Sequence, residues 1–495
     1  MNWTFWMPQA LLGVSLLTAA LIFPLDEEQV GLRTVLNIGG ATLKLILVGV
    51  IFWGSFRGYE FEARLPFMGD LSIVLQADYL SLLFVALSAL LWFVTTFYAI
   101  GYLEGSPNRS RFFGFFSLCV TATMGIALAG NLITFFVFYE MLTVVTYPLV
   151  VHRGTGEALE AGRVYLLYTL TGGVLLLLGI VWLHSAAGQL DFVTGGSLAA
   201  LAVERPGTLR LIFCLLVGGL AVKAALFPLH GWLPIAMVAP APVSALLHAV
   251  AVVKAGAFGI VRVVHDVYGA NVAASLGLLT PLAAIAAFTI VYGSVRALAQ
   301  DDLKRRLAFS TVSQLSYITL GIAIVGPVAT AGGLVHLLHQ GMMKATLFFC
   351  AGIFSETLGV QRVSEMDGIG RRMPLTMAAF TVGAFGMIGI PPVAGFVTKW
   401  YLGLGALEAG QGWVVGVLAV SSVLNALYFL PIVGAAWFRP APAEWVPRPV
   451  RETHRMLLVP ALATAAFSIA AGIAAGLPFS PLWLVRLAVG EIYGP

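Results

Sequence analysis

Charge is what this sequence has least of. Aspartate, glutamate, lysine and arginine make up 10% of its 495 residues, against about 25% in a soluble domain. Hydrophobic residues make up 59%, and the mean hydropathy is +0.94. So few charges cannot clothe a water-facing surface, which places the chain in a lipid bilayer. The net charge of +4 is small and says nothing about nucleic acid, and no basic run is long enough to point to one. Cysteine is nearly absent. Cys119, Cys214 and Cys350 lie far apart in apolar stretches, with neither disulfide nor metal spacing, and are read as small core residues. No nucleotide, flavin, haem or iron–sulfur motif occurs, so no cofactor is expected. Met1 to Gln9 carry no basic residue, and no A-x-A site follows. The first apolar run is therefore read as a membrane helix and not as a cleaved signal.

Long apolar runs are abundant. A spanning helix needs about 20 mostly apolar residues, and fourteen candidates meet that need. They lie near 3–23, 33–54, 79–101, 111–129, 131–151, 162–184, 209–237, 243–264, 272–296, 305–325, 328–355, 373–407, 412–438 and 456–476. The expectation is an all-α polytopic membrane protein. The seventh and twelfth stretches are too long and contain prolines. Both are read as broken helices, with two short helices joined by a loop as the alternative.

Loops on one side of this arrangement hold sixteen Lys/Arg, from Arg33 through Lys304 to Arg448, Arg451 and Arg455. The other side holds six: Arg57, Arg64, Arg205, Arg210, Arg262 and Arg486. The positive-inside rule puts the sixteen in the cytoplasm and both termini outside, in a bacterial or archaeal inner membrane.

Five of the 27 Lys/Arg remain, and all five are lysines within expected helices: Lys44, Lys223, Lys254, Lys344 and Lys399. Arginine takes the loops and lysine takes the bilayer. Arginine keeps its proton in proteins, whereas a desolvated lysine can release one. Glu140 stands alone among acids in the middle of the fifth stretch. A charge at mid-bilayer costs about 2.5–3.5 kcal/mol even on lenient insertion scales. The set therefore reads as a proton path, with tying of helices or pairing with partner subunits as the plainer alternative, above all for Lys44. His248 precedes Lys254 by six residues, on another face of one helix. His336 precedes Lys344 by eight, on roughly the same face, and His339 is one turn from His336. Neither a carboxylate nor a cysteine stands at ligand spacing to these histidines, so a relay is favoured over a metal site.

Five segments carry a resemblance. They are Phe138-Tyr-Glu140-Met-Leu; Val222-Lys223-Ala-Ala-Leu-Phe-Pro-Leu-His230-Gly-Trp-Leu-Pro234 with the following His248 and Lys254-Ala-Gly; Asp302-Leu-Lys-Arg-Arg; His336-Leu-Leu-His-Gln-Gly-Met-Met-Lys344; and Gly389-Ile-Pro-Pro-Val-Ala-Gly-Phe-Val-Thr-Lys399. In this order, over about residues 75 to 440, the chain resembles the antiporter-like subunits shared by Mrp cation/proton antiporters, complex I and membrane-bound hydrogenases. The resemblance implies three N-terminal helices in 1–110, a first five-helix repeat in 111–265, a second, inverted repeat in 266–438, and a loop with a last helix in 439–495. It implies that the seventh and twelfth helices are broken, each with a lysine. That agrees with Pro228 after Lys223 and Pro391-Pro392 before Lys399, and with half-helices at mid-membrane in transporters.

The resemblance also implies roles. Glu140 and Lys223 are the paired charge switch, Lys254 the central relay, His336 and Lys344 the gated link, and Lys399 the terminal group. His230, His248, His339 and Lys44 are secondary. Family members often carry Asn-His where this chain has His339-Gln340. One residue of displacement turns the ring about 100° around the helix, which puts the role of His339 in doubt. If a neighbouring subunit pulls Glu140 away, Lys223 loses its counter-ion and passes its proton on. Moving a charge against about 100 mV costs about 2.3 kcal/mol, equivalent to under two pKa units.

The first reading is a member of a multi-subunit Na+/H+ antiporter, similar to the D-type subunit of Mrp antiporters. The alternatives are a membrane-arm subunit of a complex I-like oxidoreductase or hydrogenase, and an inorganic-carbon uptake module. Any redox chemistry would belong to partners. The expected partners are other membrane subunits, H+, Na+ for an antiporter, and lipid. A long lateral C-terminal helix would favour the distal complex I subunit, and none follows the last apolar stretch before Pro495.

Overall fold

Polar caps mark where several of the apolar runs become helices. Side chains of Asp78, Asn131, Thr155, Asp302 and Ser480 each accept a hydrogen bond from the backbone N–H three residues on, satisfying a donor that the first helical turn leaves free. The computed structural model describes residues 3–69, 71–188, 190–442, 445 and 452–494. Its helices are α1 (Trp3–Ile22), α2 (Val30–Phe56), α3 (Tyr79–Tyr102), α4 (Arg109–Ala127), α5 (Leu132–Val150), α6 (Gly156–Ala187), α7 (Pro206–Lys223), α8 (Ala241–Tyr268), α9 (Leu279–Leu298), α10 (Leu303–Ala323), α11 (Pro327–Leu358), α12 (Pro374–Ile388), α13 (Ala394–Glu408), α14 (Trp413–Phe438), α15 (Arg455–Ile473) and α16 (Pro481–Tyr493). Short helical turns link some of them.

Among the described residues, twelve helices are long and apolar enough to cross a membrane. The protein is a multi-pass, mostly helical membrane protein. Two of the fourteen expected stretches take other forms. One is α10, whose 21 residues include Ser310, Thr311, Ser313, Gln314, Ser316 and Thr319, all buried. The other divides into α12 and α13, 15 residues each.

Burial sorts centre from rim. The most apolar stretches of α8 and α11 are wholly enclosed by protein, whereas α2 and α14 are about one-third enclosed or less. Leu167, Val174 and Val35 stand open on the outside, as lipid-facing residues do. Helices approach closely at small residues. A Cβ on Gly172 of α6 would sit 2.9 Å from the Gly219 carbonyl oxygen of α7.

Several sequence expectations need correction. Cys214 is exposed, unlike buried Cys119 and Cys350; an outward face in lipid is as apolar as a core, so the pattern could not separate them. Arg33 and Arg262, counted with the loops, are each only 2% exposed. The stretch expected at 272–296 begins as a short helix, Ala270–Ser275, and restarts at Leu279, with Gly277 at φ +72° between them. An antiparallel hairpin, β1 (Glu62–Met68) with β2 (Leu71–Gln76), fills the second loop. Beyond the last expected helix lies α16, packed on α3 and α11. Met1, Arg448, Arg451 and Pro495 lie outside the described residues.

Candidate functional site

Glu140 projects from the middle of α5 and is half-buried. It is seated against Gly173 of α6, where an added Cβ would come within 2.4 Å of its Oε1. That oxygen has no hydrogen-bond partner among the described residues. Lys223 is fully buried in the last turn of α7. It donates to the Tyr139 carbonyl at 2.5 Å and lies 3.4 Å from the centroid of the Tyr139 ring. Its direct partner is thus the residue before Glu140. The two charges interact through space without forming one of the ion pairs found among the described residues.

After Lys223 the helix stops. Ala225 adopts φ +55°, the Phe227 N–H turns to Thr289 Oγ1, and Trp232 Nε1 donates to the Val222 carbonyl, which also accepts from the Ala225 N–H. His230 sits in this break between Phe227 and Tyr292. Gly256 of α8 rests on the break so closely that a Cβ would come within 2.2 Å of the Ala224 nitrogen. Two residues earlier on α8, Lys254 donates to the Leu337 carbonyl at 2.9 Å. Just before Lys254 the helix widens into a π turn, Leu246–Val250, a local form common at functional sites. His248 lies in that turn against Phe348, with ring centroids 4.6 Å apart, and neither ring nitrogen has a partner among the described residues.

His336 and Lys344, expected together as one link, both lie buried on α11 with different neighbours. His336 faces Tyr317, centroids 5.3 Å apart, within electrostatic reach of Lys254 and Lys399. Lys344 donates to the Leu307 carbonyl at 3.0 Å, within reach of Lys254 and His248. His336 and Lys344 are thus both within reach of Lys254, and His336 also of Lys399. The displaced His339 bonds through Nδ1 to Thr398 Oγ1 at 3.1 Å, beside Lys399. Lys399 is half-buried and donates to the Ile388 carbonyl at 2.6 Å, the Met387 carbonyl at 3.3 Å and Ser422 Oγ at 2.7 Å. Those carbonyls end α12, where the helix dipole favours a cation. Lys44 stands apart on α2, bonded to Ser15 Oγ at 2.5 Å and 4.9 Å from the Trp92 ring.

One chemical feature unites the five lysines. Each donates to a backbone carbonyl or a hydroxyl. A neutral amine and an ammonium can both donate to such acceptors. The proton can therefore leave without breaking the bond that positions the nitrogen, whereas a carboxylate partner would hold the charge in place.

Sequence reasoning missed a further cluster. Arg262 bonds Asp78 at 2.6 and 2.9 Å, Asp266 at 2.7 Å and Ser81 at 2.8 Å. Burial alone would raise the Asp78 carboxyl, but the Arg262 guanidinium and the Ser81 N–H hold it below its ordinary value. Burial and the nearby Asp78 push Glu491 of α16 up to about 7. The signal was present: Asp78 opens an apolar run, and Arg262 precedes Asp266 by one turn.

The sequence profile described as "NADH:quinone oxidoreductase/Mrp antiporter, TM" matches residues 129–425. One described as "NADH-Ubiquinone oxidoreductase (complex I), chain 5 N-terminus" matches 67–113. The chain is 40% identical over 359 residues to NADH-quinone oxidoreductase subunit N of Desulforudis audaxviator, covering 71% of each chain. It is 26% identical over 456 residues to the Na(+)/H(+) antiporter D subunit of Bacillus subtilis, covering 90% of each. Its fold matches a chain of the Mrp complex from Dietzia sp. with a TM-score of 0.88 at 24% identity, over 100% of this chain and 98% of that one. This chain belongs to the family of antiporter-like membrane subunits common to NADH:quinone oxidoreductases and Mrp antiporters.

Proposed function

We propose that this chain moves protons through the membrane, as the Mrp D-type member of a multi-subunit Na+/H+ antiporter. The observation that carries this is the run Glu140, Lys223, Lys254, His336 and Lys399. Its end members are half-buried and its middle members are at most 1% exposed, and every lysine is held by a neutral acceptor. In this reading Glu140 sets the charge on Lys223, Lys254 accepts the proton across the Gly256 contact, and His336 passes it to Lys399. Lys344 and His248 tune Lys254 from the side, His339 positions α13 through Thr398, and His230 lines the break. Residues 111–265 and 266–438 are the two inverted repeats, and the sixteen-cation side faces the cytoplasm. Other membrane subunits of the same complex are its partners, as for the Mrp complex that shares its fold.

The 40% identity to an oxidoreductase subunit N favours a second reading, a proton-pumping membrane-arm subunit powered by a redox partner. Both readings use the same proton path. Everted vesicles containing the assembled complex separate them: a Na+ pulse collapses a preformed pH gradient in an antiporter, whereas NADH or another electron donor builds one in a redox complex. Proton movement under neither condition would refute the proton-transport reading. Glu140→Ala and Lys223→Ala should each abolish transport while the complex still assembles, and near-normal flux in either variant removes the pair from the mechanism.

A further inference from the structure

Lys44 lies outside the central run, on the N-terminal helices, and its surroundings form a separate polar column. Its face of α2 buries Arg33, Asn37, Ala41 and Lys44 in succession. A cavity of about 270 Å³ opens at the arginine-rich end of this face, lined among others by Arg33, Asn37, Glu104, Arg109 and His454. Several waters fit such a volume at about 30 Å³ each. At its inner end stands Asn37, 1% exposed. Its Nδ2 donates to the Arg33 carbonyl, and its Oδ1 has no partner among the described residues. An enclosed amide oxygen without a donor, on the wall of a cavity, is a seat for water.

Lys44 is seven residues further along α2, about 10.5 Å by helix rise. Helical side chains lean toward their own N-terminus, here toward the cavity, so the Lys44 stem spans much of that gap. Helix α4 starts at the same end, tied there by Arg33 to Ser110 Oγ at 2.8 Å. One turn apart on α4 are Ser117 and Thr121. Ser117 Oγ is buried without a partner among the described residues, and Thr121 Oγ1 is 2.8 Å from Ser15 Oγ, the acceptor of Lys44. Hydroxyls thus stand between the depth of Asn37 and the Lys44 nitrogen, ending in the Thr121–Ser15–Lys44 chain. Ser15 of α1, Trp92 of α3 and Thr121 of α4 surround that nitrogen, and no charged side chain among the described residues of these helices interacts with it. The charged or titratable groups at the cavity end of the column are Arg33, Glu104, Arg109 and His454 of the cavity wall and Glu27, whose carboxylate accepts from the Arg109 and Ser110 N–H groups and faces Arg33. On the far side, Ser88 Oγ, Trp92 Nε1 and Thr95 Oγ1 of α3 are buried, again without partners among the described residues. Leu87 of α3 would touch a Cβ on Gly341 of α11, one turn before Lys344.

We infer that Lys44 is a second proton-loading site, filled through the Arg33–Asn37 cavity and feeding the central run across α3. This rests on the reading of the chain as a proton carrier. In the loading step a hydrated proton in the cavity gives up its O–H bond, a new N–H bond forms on the Lys44 amine, and water is released. Transfer onward reverses that step on the α3 side. A structural lysine would need none of this polar column and would accept arginine.

The test measures initial proton flux in everted vesicles holding the whole complex, with its abundance read on a native gel. Lys44→Met and Lys44→Arg should both reduce flux roughly tenfold, a modest loss for removing one proton-transfer group because the Glu140 route remains. Asn37→Leu, which closes the column without touching a titratable group, should reduce flux in the same direction. Full flux in Lys44→Arg, or in assembled Asn37→Leu, overturns the inference. If the Lys44 variants do not assemble, Asn37→Leu and Thr121→Val decide alone. Absence of flux in the wild type would instead refute the underlying proton-transport reading.

Discussion

Gly173 leaves no room for a side chain, and that fixes where Glu140 can be. A Cβ there would fall 2.4 Å from the carboxylate oxygen and 2.7 Å from its carbon. Gly173→Ala should therefore displace Glu140 and cut proton flux without altering any titratable residue. Flux at wild-type level in assembled Gly173→Ala would mean that the position of Glu140 is unimportant. At the other end, Lys399→Arg should fail nearly as badly as Lys399→Ala, because arginine keeps its proton. Lys399→Glu should fall between these and wild type, since a carboxylic acid can also carry a proton. An arginine variant that transports well would make Lys399 an anchor.

Lys304 gives a prediction at the same scale. Burial, with Arg153 adding to it, lowers its pKa from 10.5 to about 8, while its Nζ donates to the Ala239 carbonyl. The folded value lies below the unfolded one. Between pH 8 and 10.5 the unfolded chain binds more protons, so stability rises with pH across that window. Below it both states are protonated and the cost of burying the charge is present in full. Lys304→Met should flatten the rise in thermal midpoint of the purified complex over this range; an unchanged slope would assign it to other groups. The membrane lysines were legible because each stands alone in an apolar run. Lys304 was not, because it sits among Asp302, Arg305 and Arg306, where any loop would place it.

Among elements, the broken helices were legible and their contacts were not. Pro228 and Pro391-Pro392 cannot continue a helix, so the sequence marks both breaks. That α8 rests on the first break through Gly256 depends on two backbones meeting, and a glycine in an apolar helix looks like any other. Gly256→Leu should force α8 from α7, separating Lys254 from Lys223, with flux lost more steeply than assembly. The Arg262 cluster joins α8 to the start of α3. Removing one partner of a buried ion pair costs about 3–5 kcal/mol. Arg262→Met should therefore lower the thermal midpoint of the complex by several degrees, and Arg262→Lys should restore only part of it, since lysine cannot reach Asp78 and Asp266 together. A variant as stable as wild type would show that the cluster does not hold these helices. Pattern reading counted Arg262 with the loops, although it lies at the end of the 243–264 stretch.

For the whole molecule, the proposed orientation has a direct check. After Cys214→Ser removes the exposed native thiol, Met68→Cys at the exposed end of β1 should label only from outside the cell, and Ala299→Cys, between α9 and α10, only from inside. Labelling of both from one side would refute the arrangement.

By itself the sequence determined the membrane class, the helix sites, both breaks and the lysines of the interior, because insertion in lipid depends on composition along a single run. Only the tertiary structure decided what each lysine meets: Lys254 the Leu337 carbonyl, Lys344 the Leu307 carbonyl, Lys399 the end of α12, and Lys44 the Ser15 hydroxyl. It also decided that Lys223 bonds the Tyr139 carbonyl and not Glu140. In lipid, outward and inward helix faces are equally apolar, so hydrophobic periodicity, which orients a helix in a soluble protein, carries little here. Helix rotation and neighbours come from close fits at glycines such as Gly173 and Gly256, and those exist only once distant backbones have met.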